Sequence, residues 1–192
     1  MDHLGAVFTL MGEPRRKHEA SAAAWERVEA NFDAPVPDDY KKIVQAYAPV
    51  QVNWHLYFLH PEEDLEIWMG QTIEAFRGTS WDEDVICPGF EDSGPLFGGR
   101  AGMVPLATTD RGEYVFAARE EKAAAWRILT CDGEEQDFYE YRMGFAEWLH
   151  GWLSGGDMFG PDSSVYYPGP VRLERPPKGP GEPSLVWEGP ER

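Results

Sequence analysis

The segment MVPLATTDRGEYVF, residues 103–116, places two hydrophobic runs on either side of a short polar sequence. Asp110 and Gly112 are turn residues, because an aspartate accepts hydrogen bonds from nearby backbone amides and a glycine adopts a positive φ. We therefore predict a β-hairpin rather than a ligand site, with the Asp110 carboxylate accepting from amides two residues on. Further hydrophobic runs at 125–131 and 136–140, with a second turn signal at 132–134, extend the hairpin into a run of antiparallel strands.

Periodic apolar residues elsewhere in the chain predict four helices and one further strand. Ser21 is suited to cap a helix whose apolar face carries Trp25 and Val28. Residues 52–60 alternate instead, with β-favouring side chains, and predict one strand that ends at Pro61. The predicted helices span residues 21–32, 37–48, 61–78 and 142–156.

This order of elements predicts an α+β fold, in which a mostly antiparallel sheet packs against helices in a single domain, with N-terminal helices and a C-terminal helix. Residues 1–20 are interpreted as an N-terminal extension and residues 21–156 as the domain. Residues 157–192 are rich in proline and glycine and predict an extended or polyproline-like C-terminal extension, part of which lies across the domain.

The composition restricts the classes of function. With 42% hydrophobic residues among 192, the chain can bury one substantial core, whereas its net charge of −17 opposes binding to nucleic acid or anionic lipid. No apolar run is long enough to span a membrane and no signal peptide is evident, so a soluble, cytoplasmic protein is expected. Cys87 and Cys131 are too few for a disulfide framework or a zinc site, and we expect buried, reduced thiols and no cofactor.

The acidic excess is concentrated in residues 43–97, which hold ten acids and one base, Arg77. Such a run is often only a solvated face, but here it is interleaved with aromatic residues, and acids around aromatic anchors suit a protein partner with a basic surface. The aromatic residues are Trp54, Tyr57, Phe58, Trp68, Phe76, Trp81, Phe90 and Phe97. The candidate partner-binding residues are Glu62, Glu63, Asp64, Glu66, Trp68, Trp81, Asp82, Glu83, Asp84, Glu91 and Asp92.

No catalytic pattern emerges. The glycines of GGRAG, residues 98–102, lack the lysine and hydroxyl residue of a phosphate-binding loop. His55 and His60 are expected on opposite faces of one strand, which argues against a shared metal. The other histidines stand apart from any nucleophile in sequence, so the chain is predicted not to be an enzyme.

Several short motifs occur in an order that resembles the SMI1/KNR4 family, the SUKH superfamily. VPDDYKKIV, residues 36–44, is similar to the family's entry into its second helix, and PLATTDRGEYVF, residues 105–116, to its strand, turn and strand. Trp126 in AAWRIL and the closing GFAEWLHGWLSGG, residues 144–156, also resemble family signatures. The segment YAPVQVNW and the C-terminal extension depart from the family pattern.

The resemblance covers residues 21–156 and implies a non-enzymatic binding protein. Many bacterial members are immunity proteins that neutralise toxins of polymorphic toxin systems, so a cognate toxin, possibly a nuclease, is the partner the resemblance implies. Fungal members suggest the alternative of an intracellular scaffold or regulatory module.

Overall fold

The computed structural model describes residues 1–15, 20–82, 85–120, 125–132, 137–165, 167–177, 179 and 181–192. Within them, helices pack against one antiparallel sheet, which confirms the predicted α+β fold in a single domain. The helices formed by these residues are α1 (His3–Met11), α2 (Ala22–Phe32), α3 (Asp38–Tyr47), α4 (Leu65–Gly78) and α5 (Phe145–Leu153).

Helices α2 to α5 confirm the four predicted helices. The Ser21 hydroxyl accepts a hydrogen bond from the Ala24 amide at 3.1 Å, so Ser21 is the N-cap of α2. Helix α4 begins at Leu65 rather than at Pro61, because residues 61–64 form a turn. Helix α1 lies in the region interpreted as an extension, where the Asp2 carboxylate caps it by accepting from the Gly5 amide at 3.0 Å.

The described residues form eight strands in the spatial order β6-β5-β4-β3-β2-β1-β7-β8, and each neighbouring pair is antiparallel. Strands β3 to β6 confirm the predicted run, and the Gly112 amide closes the β3–β4 turn on the Thr109 carbonyl at 3.2 Å. The strands are β1 (Val50–Val52), β2 (Leu56–Phe58), β3 (Val104–Thr109), β4 (Glu113–Glu120), β5 (Ala125–Asp132), β6 (Phe138–Tyr141), β7 (Arg172–Arg175) and β8 (Leu185–Glu188).

The prediction of one strand over residues 52–60 is wrong. The chain reverses at Asn53 and Trp54, whose φ angles of 50° and 62° lie in the left-handed region, and the His55 amide donates to the Val52 carbonyl at 3.0 Å. Two positive φ angles in succession produce a tight hairpin turn, so this segment forms β1 and β2. The alternation is equally compatible with one long strand or two short ones, and the turn lacks the usual glycine.

The C-terminal extension contributes two strands that the sequence analysis did not assign. Strand β7 pairs with β1, with Val52 opposite Leu173, and β8 pairs with β7, with Leu173 opposite Trp187. Leu173 and Trp187 are both buried in the main core. Part of the extension therefore completes the sheet rather than lying over it as a polyproline segment.

The sheet has two unlike faces. Val52, Leu56 and Leu173 lie on the face that packs against α1, α2, α3, α5 and the first half of α4. On the opposite face, β4 to β6 contribute Phe116, Leu129 and other side chains to a second cluster. The second half of α4 and the segment that follows it cover this cluster.

Residues at the start of α3 connect this helix to the sheet and to two other helices. The buried Tyr40 hydroxyl donates to the Leu106 carbonyl at 2.7 Å, at an irregularity in β3. The Asp39 carboxylate accepts from the Ala146 amide in the first turn of α5 at 2.8 Å, and Lys41 pairs with Glu29 of α2 at 2.7 Å. Three residues of the VPDDYKKIV motif, Asp39, Tyr40 and Lys41, therefore stabilise the packing of α3 against α5, β3 and α2.

Candidate functional site

The connection between α4 and β3, residues 79–103, contains no helix or strand in its described part, and it is called here the acidic loop. Its sequence carries five carboxylates and one base, Arg100. Connections of this length without regular structure are uncommon in small domains and often functional. The acidic loop is therefore a candidate binding surface.

Aromatic side chains hold the acidic loop against the sheet. Trp81 stacks on Phe97 with ring centroids 5.8 Å apart and an interplanar angle of 18°, and its ring lies 5.4 Å from that of Phe138 in β6. Phe97 is buried and also contacts Phe76 of α4, at 5.0 Å. Trp81, a predicted partner-binding residue, is thus half-buried as an anchor of the loop.

Arg127 of β5 clamps the middle of the loop. Its Nη1 donates to the Pro88 carbonyl and its Nη2 to the Gly89 carbonyl, both at 3.4 Å, while Nη1 also pairs with Glu140 at 3.0 Å. The guanidinium lies 4.9 Å from the centroid of the Phe90 ring. Gly89 has φ of 77°, and a Cβ there would lie 1.5 Å from Nη1 of Arg127, so only glycine fits this approach.

The described part of the loop exposes both carboxylates and apolar side chains. Asp82, Glu91 and Asp92 are exposed, and so are Ile86, at 72%, and Leu96, at 42%. Hydrogen bonds from the backbone amides of Gly89 and Glu91 hold the pKa of the Glu91 carboxyl below its ordinary value, so this group stays charged at neutral pH. Glu83 and Asp84, two further predicted residues, lie outside the described part of the chain.

The other predicted acids lie at the opposite end of α4. Because α4 has 14 residues, its ends are about 20 Å apart. Glu63 is half-buried and Asp64 exposed at the start of the helix, and Trp68 packs against the main core. The predicted residues therefore do not form one continuous patch.

Two of these acids are bound to α2. Glu62 accepts from the hydroxyl and the amide of Ser21, at 2.6 and 2.9 Å, and these two bonds lower the pKa of its carboxyl. Glu66 pairs with Arg27 at 2.9 Å and accepts a hydrogen bond from Asn31. The carboxylates of Glu62 and Glu66 therefore mainly stabilise the packing of α2 against α4.

The aromatic residues interleaved with the acids are mostly not surface anchors, contrary to the prediction. Phe58, Phe76, Phe90 and Phe97 are buried, and Tyr57, Trp68 and Trp81 are half-buried. Among these aromatic residues, only Trp54 is substantially exposed, at 50%. An aromatic residue at periodic spacing is more often core than surface, which explains the difference.

Exposed Trp54 belongs to a second cluster that the sequence analysis missed, whose other aromatic and basic members are half-buried. The Arg172 guanidinium lies 4.5 Å from the centroid of its ring, and the Tyr167 ring lies 6.1 Å away. Tyr167 also lies 5.8 Å from His55. These residues come from distant parts of the sequence and meet only because β7 pairs with β1.

Asp110 contributes to the same cluster, and its predicted role in the turn is wrong. The Thr109 hydroxyl, not the Asp110 carboxylate, accepts from the amides of Arg111 and Glu113, both at 3.2 Å. The Asp110 carboxylate instead pairs with Nδ1 of His55. The sequence TTDRG is still a turn, but its carboxylate is directed to the neighbouring hairpin.

The side chains considered for metal binding or nucleophilic chemistry lie apart or are buried in the described part of the chain. No group of three or more His, Cys, Asp or Glu side chains among them lies in an arrangement that could hold a metal ion. Cys87 and Cys131 are buried free thiols, as predicted, and burial raises the pKa of each to about 12. Such thiols are protonated at neutral pH and are weak nucleophiles.

The two histidines considered for a metal site do not share a strand. His55 lies at the β1–β2 turn, whereas His60 is buried beyond β2, where its Nδ1 accepts from the Glu62 amide at 3.3 Å. The parity argument over residues 52–60 does not apply, because the segment is a hairpin.

None of the helices in the described ranges has the length and apolar character needed to cross a bilayer. Comparison of the chain with protein-family models, with curated proteins and with solved structures gives no match.

Proposed function

We propose that this chain is a non-enzymatic binding protein that occludes a protein partner carrying a basic surface. The observation that supports this function best is the acidic loop, in which exposed carboxylates and exposed Ile86 and Leu96 occur on one segment anchored by Trp81 and by Arg127. The motif resemblance to SMI1/KNR4 proteins supports the narrower proposal of a bacterial immunity protein that neutralises a cognate toxin in the cytoplasm.

The physical roles of the two kinds of side chain differ. Carboxylates accelerate the encounter with a basic partner through long-range attraction, whereas burial of apolar side chains such as Ile86 supplies affinity at short range. Because contacts of Trp81 and Arg127 restrain the described parts of the loop, binding should lose less conformational entropy than binding by a free segment. A nuclease toxin suits this surface, since carboxylates can occupy the positions of nucleic-acid phosphates. The same charge opposes binding of nucleic acid by the chain itself.

The proposed surface is smaller than the sequence suggested. Glu62 and Glu66 are bound to α2, and Trp81 is an anchor, so the contact residues proposed here are Asp82, Ile86, Glu91, Asp92 and Leu96. Glu83 and Asp84 add charge to the same segment of the sequence.

Two measurements test this function. Co-purification with the product of the neighbouring gene identifies the partner, and association kinetics then measure the contribution of charge. We expect the association rate constant to fall about tenfold or more as the ionic strength rises from roughly 0.02 to 0.5 M. A rate that does not depend on salt would remove the electrostatic part of the proposal.

Variants of the loop separate charge from apolar contact. Asp82→Asn with Asp92→Asn should slow association, whereas Ile86→Ser should mainly speed dissociation. Glu26→Gln, an exposed acid of α2, is the matched control and should leave both rates unchanged. Equal effects of the control and the loop variants would place the interface elsewhere.

The alternative is a scaffold or regulatory module with several weak partners. The cluster of exposed Trp54 with half-buried Tyr167 and Arg172 favours it, because these residue types are common in protein interfaces and the cluster lies outside the acidic loop. Sub-micromolar affinity for a single neighbouring gene product would count against this alternative.

A further inference from the structure

Beside the glycines of the acidic loop is a depression of about 610 Å³, within the range of small-ligand sites. We propose that it binds a small organic anion, a carboxylate that carries an apolar group. This inference does not depend on the proposed partner. The depression is lined by Arg77, Trp81, Pro95, Leu96, Phe97, Gly98, Gly99, Arg100, Ala101 and Gly102.

The charges at this depression are opposite to those of the chain as a whole. The full sequence has 34 acids and 17 Lys and Arg residues, whereas the described lining residues include two arginines and no carboxylate. A concave surface with two guanidinium groups is complementary to an anion, and guanidinium binds a carboxylate with two parallel hydrogen bonds. Charge therefore selects a carboxylate over a cation or a neutral ligand.

Arg77 is held in position by the loop backbone. Its Nε donates to the Phe97 carbonyl at 2.8 Å, which fixes the plane of the guanidinium. A Cβ on Gly98 would lie 2.9 Å from Nη2 of Arg77, and a Cβ on Gly102 would lie 2.2 Å from the Gly98 carbonyl oxygen. The glycines thus allow the loop to fold closely on itself and against the guanidinium.

Arg100 is the second cation, and its one ion pair among the described residues is exposed. It pairs with Asp33 at 3.3 Å, but both side chains are more than 70% exposed, at 79% and 74%, and such exposed pairs are weak. Arg100 also borders an adjacent depression of about 640 Å³. That second depression contains Glu29 and Asp33, so it suits an anion less well.

The remaining lining is apolar. Leu96 is 42% exposed and Pro95 is half-buried, and both lie beside the stacked pair of Trp81 and Phe97. An aliphatic or aromatic group next to a carboxylate would cover this surface while the carboxylate faces the arginines. The proposed ligand therefore has two parts, one recognised by charge and one by burial.

The test uses N-acetylphenylalanine as the probe and its uncharged amide as the control, each titrated into the full chain by NMR or calorimetry. We expect the acid to bind about tenfold or more tightly than the amide, since only the acid forms charge-assisted hydrogen bonds with the guanidinium groups. Sodium sulfate is the third arm and should bind more weakly than N-acetylphenylalanine, because it lacks an apolar part.

Variants locate the site. Arg100→Gln should weaken binding of N-acetylphenylalanine at least about fivefold. Arg119→Gln, which borders only the adjacent depression, should not change it. Leu96→Ser should weaken binding of N-acetylphenylalanine but not binding of sulfate. Equal affinities for acid and amide, equal affinities for acid and sulfate, unchanged binding to Arg100→Gln, or absence of saturable binding would each overturn the proposal.

Discussion

Asn53 and Arg172, which are 119 residues apart, are joined by two hydrogen bonds. The Asn53 amide donates to the Arg172 carbonyl at 2.8 Å, and the Arg172 amide donates to Oδ1 of Asn53 at 2.9 Å. Asn53 is only 3% exposed and has a φ of 50°. Asn53 therefore forms part of the β1–β2 turn through its backbone and holds the C-terminal strand β7 in the sheet through both its backbone amide and its side chain.

Asn53→Ala should lower the free energy of unfolding by about 1–3 kcal/mol, because it leaves the Arg172 amide unpaired and replaces asparagine by a residue that adopts the left-handed region less readily. Urea unfolding measures the loss, and hydrogen exchange should show a less protected Arg172 amide. Asn53→Gly separates the two causes, since it removes the hydrogen bond without the strain and should have an intermediate effect. An unfolding midpoint of Asn53→Ala equal to that of the wild type would contradict this account.

Gly89→Ala should displace the Arg127 clamp and destabilise the protein by roughly 1–3 kcal/mol, because the new Cβ would occupy the position of the guanidinium. Gly94→Ala is the matched control, since Gly94 has a φ of 69° and nothing within 4 Å of its Cβ position. The control tests strain alone and should cost about 1 kcal/mol or less. Thermal unfolding of both variants measures the two losses of stability. Equal losses would show that Arg127 does not restrain the loop.

Glu66→Gln should reduce stability by about 0.5–1 kcal/mol, because the half-buried carboxylate joins α4 to Arg27 and Asn31 of α2. Asp92→Asn, in the acidic loop, should be neutral or slightly stabilising, since it removes an exposed negative charge from a strongly acidic protein. Chemical unfolding at low salt compares the two. If Asp92→Asn is the more destabilising variant, the division between structural and surface acids is wrong.

The buried thiols predict an alkaline loss of stability. Burial raises the pKa of Cys87 and Cys131 from 9.0 to about 12, so above pH 9 the unfolded chain loses thiol protons that the folded chain retains. Their contribution to stability is complete below pH 9 and decreases as the pH rises towards 12, by about 1.4 kcal/mol per pH unit for each thiol. Unfolding of the wild type and of Cys87→Ala/Cys131→Ala between pH 8 and 10 tests this, and a similar slope for both would refute it.

The helices and the central hairpin could be predicted from the sequence because their signals are local. Ser21 caps α2 and the apolar face of α3 repeats at helical spacing, and Gly112 supplies the positive φ that the β3–β4 turn requires. The acidic excess and the buried state of the two cysteines were also evident from composition. The helices and the hairpin depend on residues within a few positions of one another, whereas the acidic excess and the burial of cysteine follow from composition alone.

The sequence by itself determined the α+β class, four of the helices, the β3 to β6 strands and the charge of the loop after α4. Only the tertiary structure decided that β7 and β8 complete the sheet, since β7 is stabilised by a partner far away in sequence, β1, and β8 pairs in turn with β7. It also decided which charges and aromatic rings remain free: Glu62 and Glu66 are bound to α2 and Trp81 to the core, whereas Trp54 is left exposed. Whether a carboxylate or a ring faces solvent depends on what packs beside it, and no local pattern specifies that neighbour.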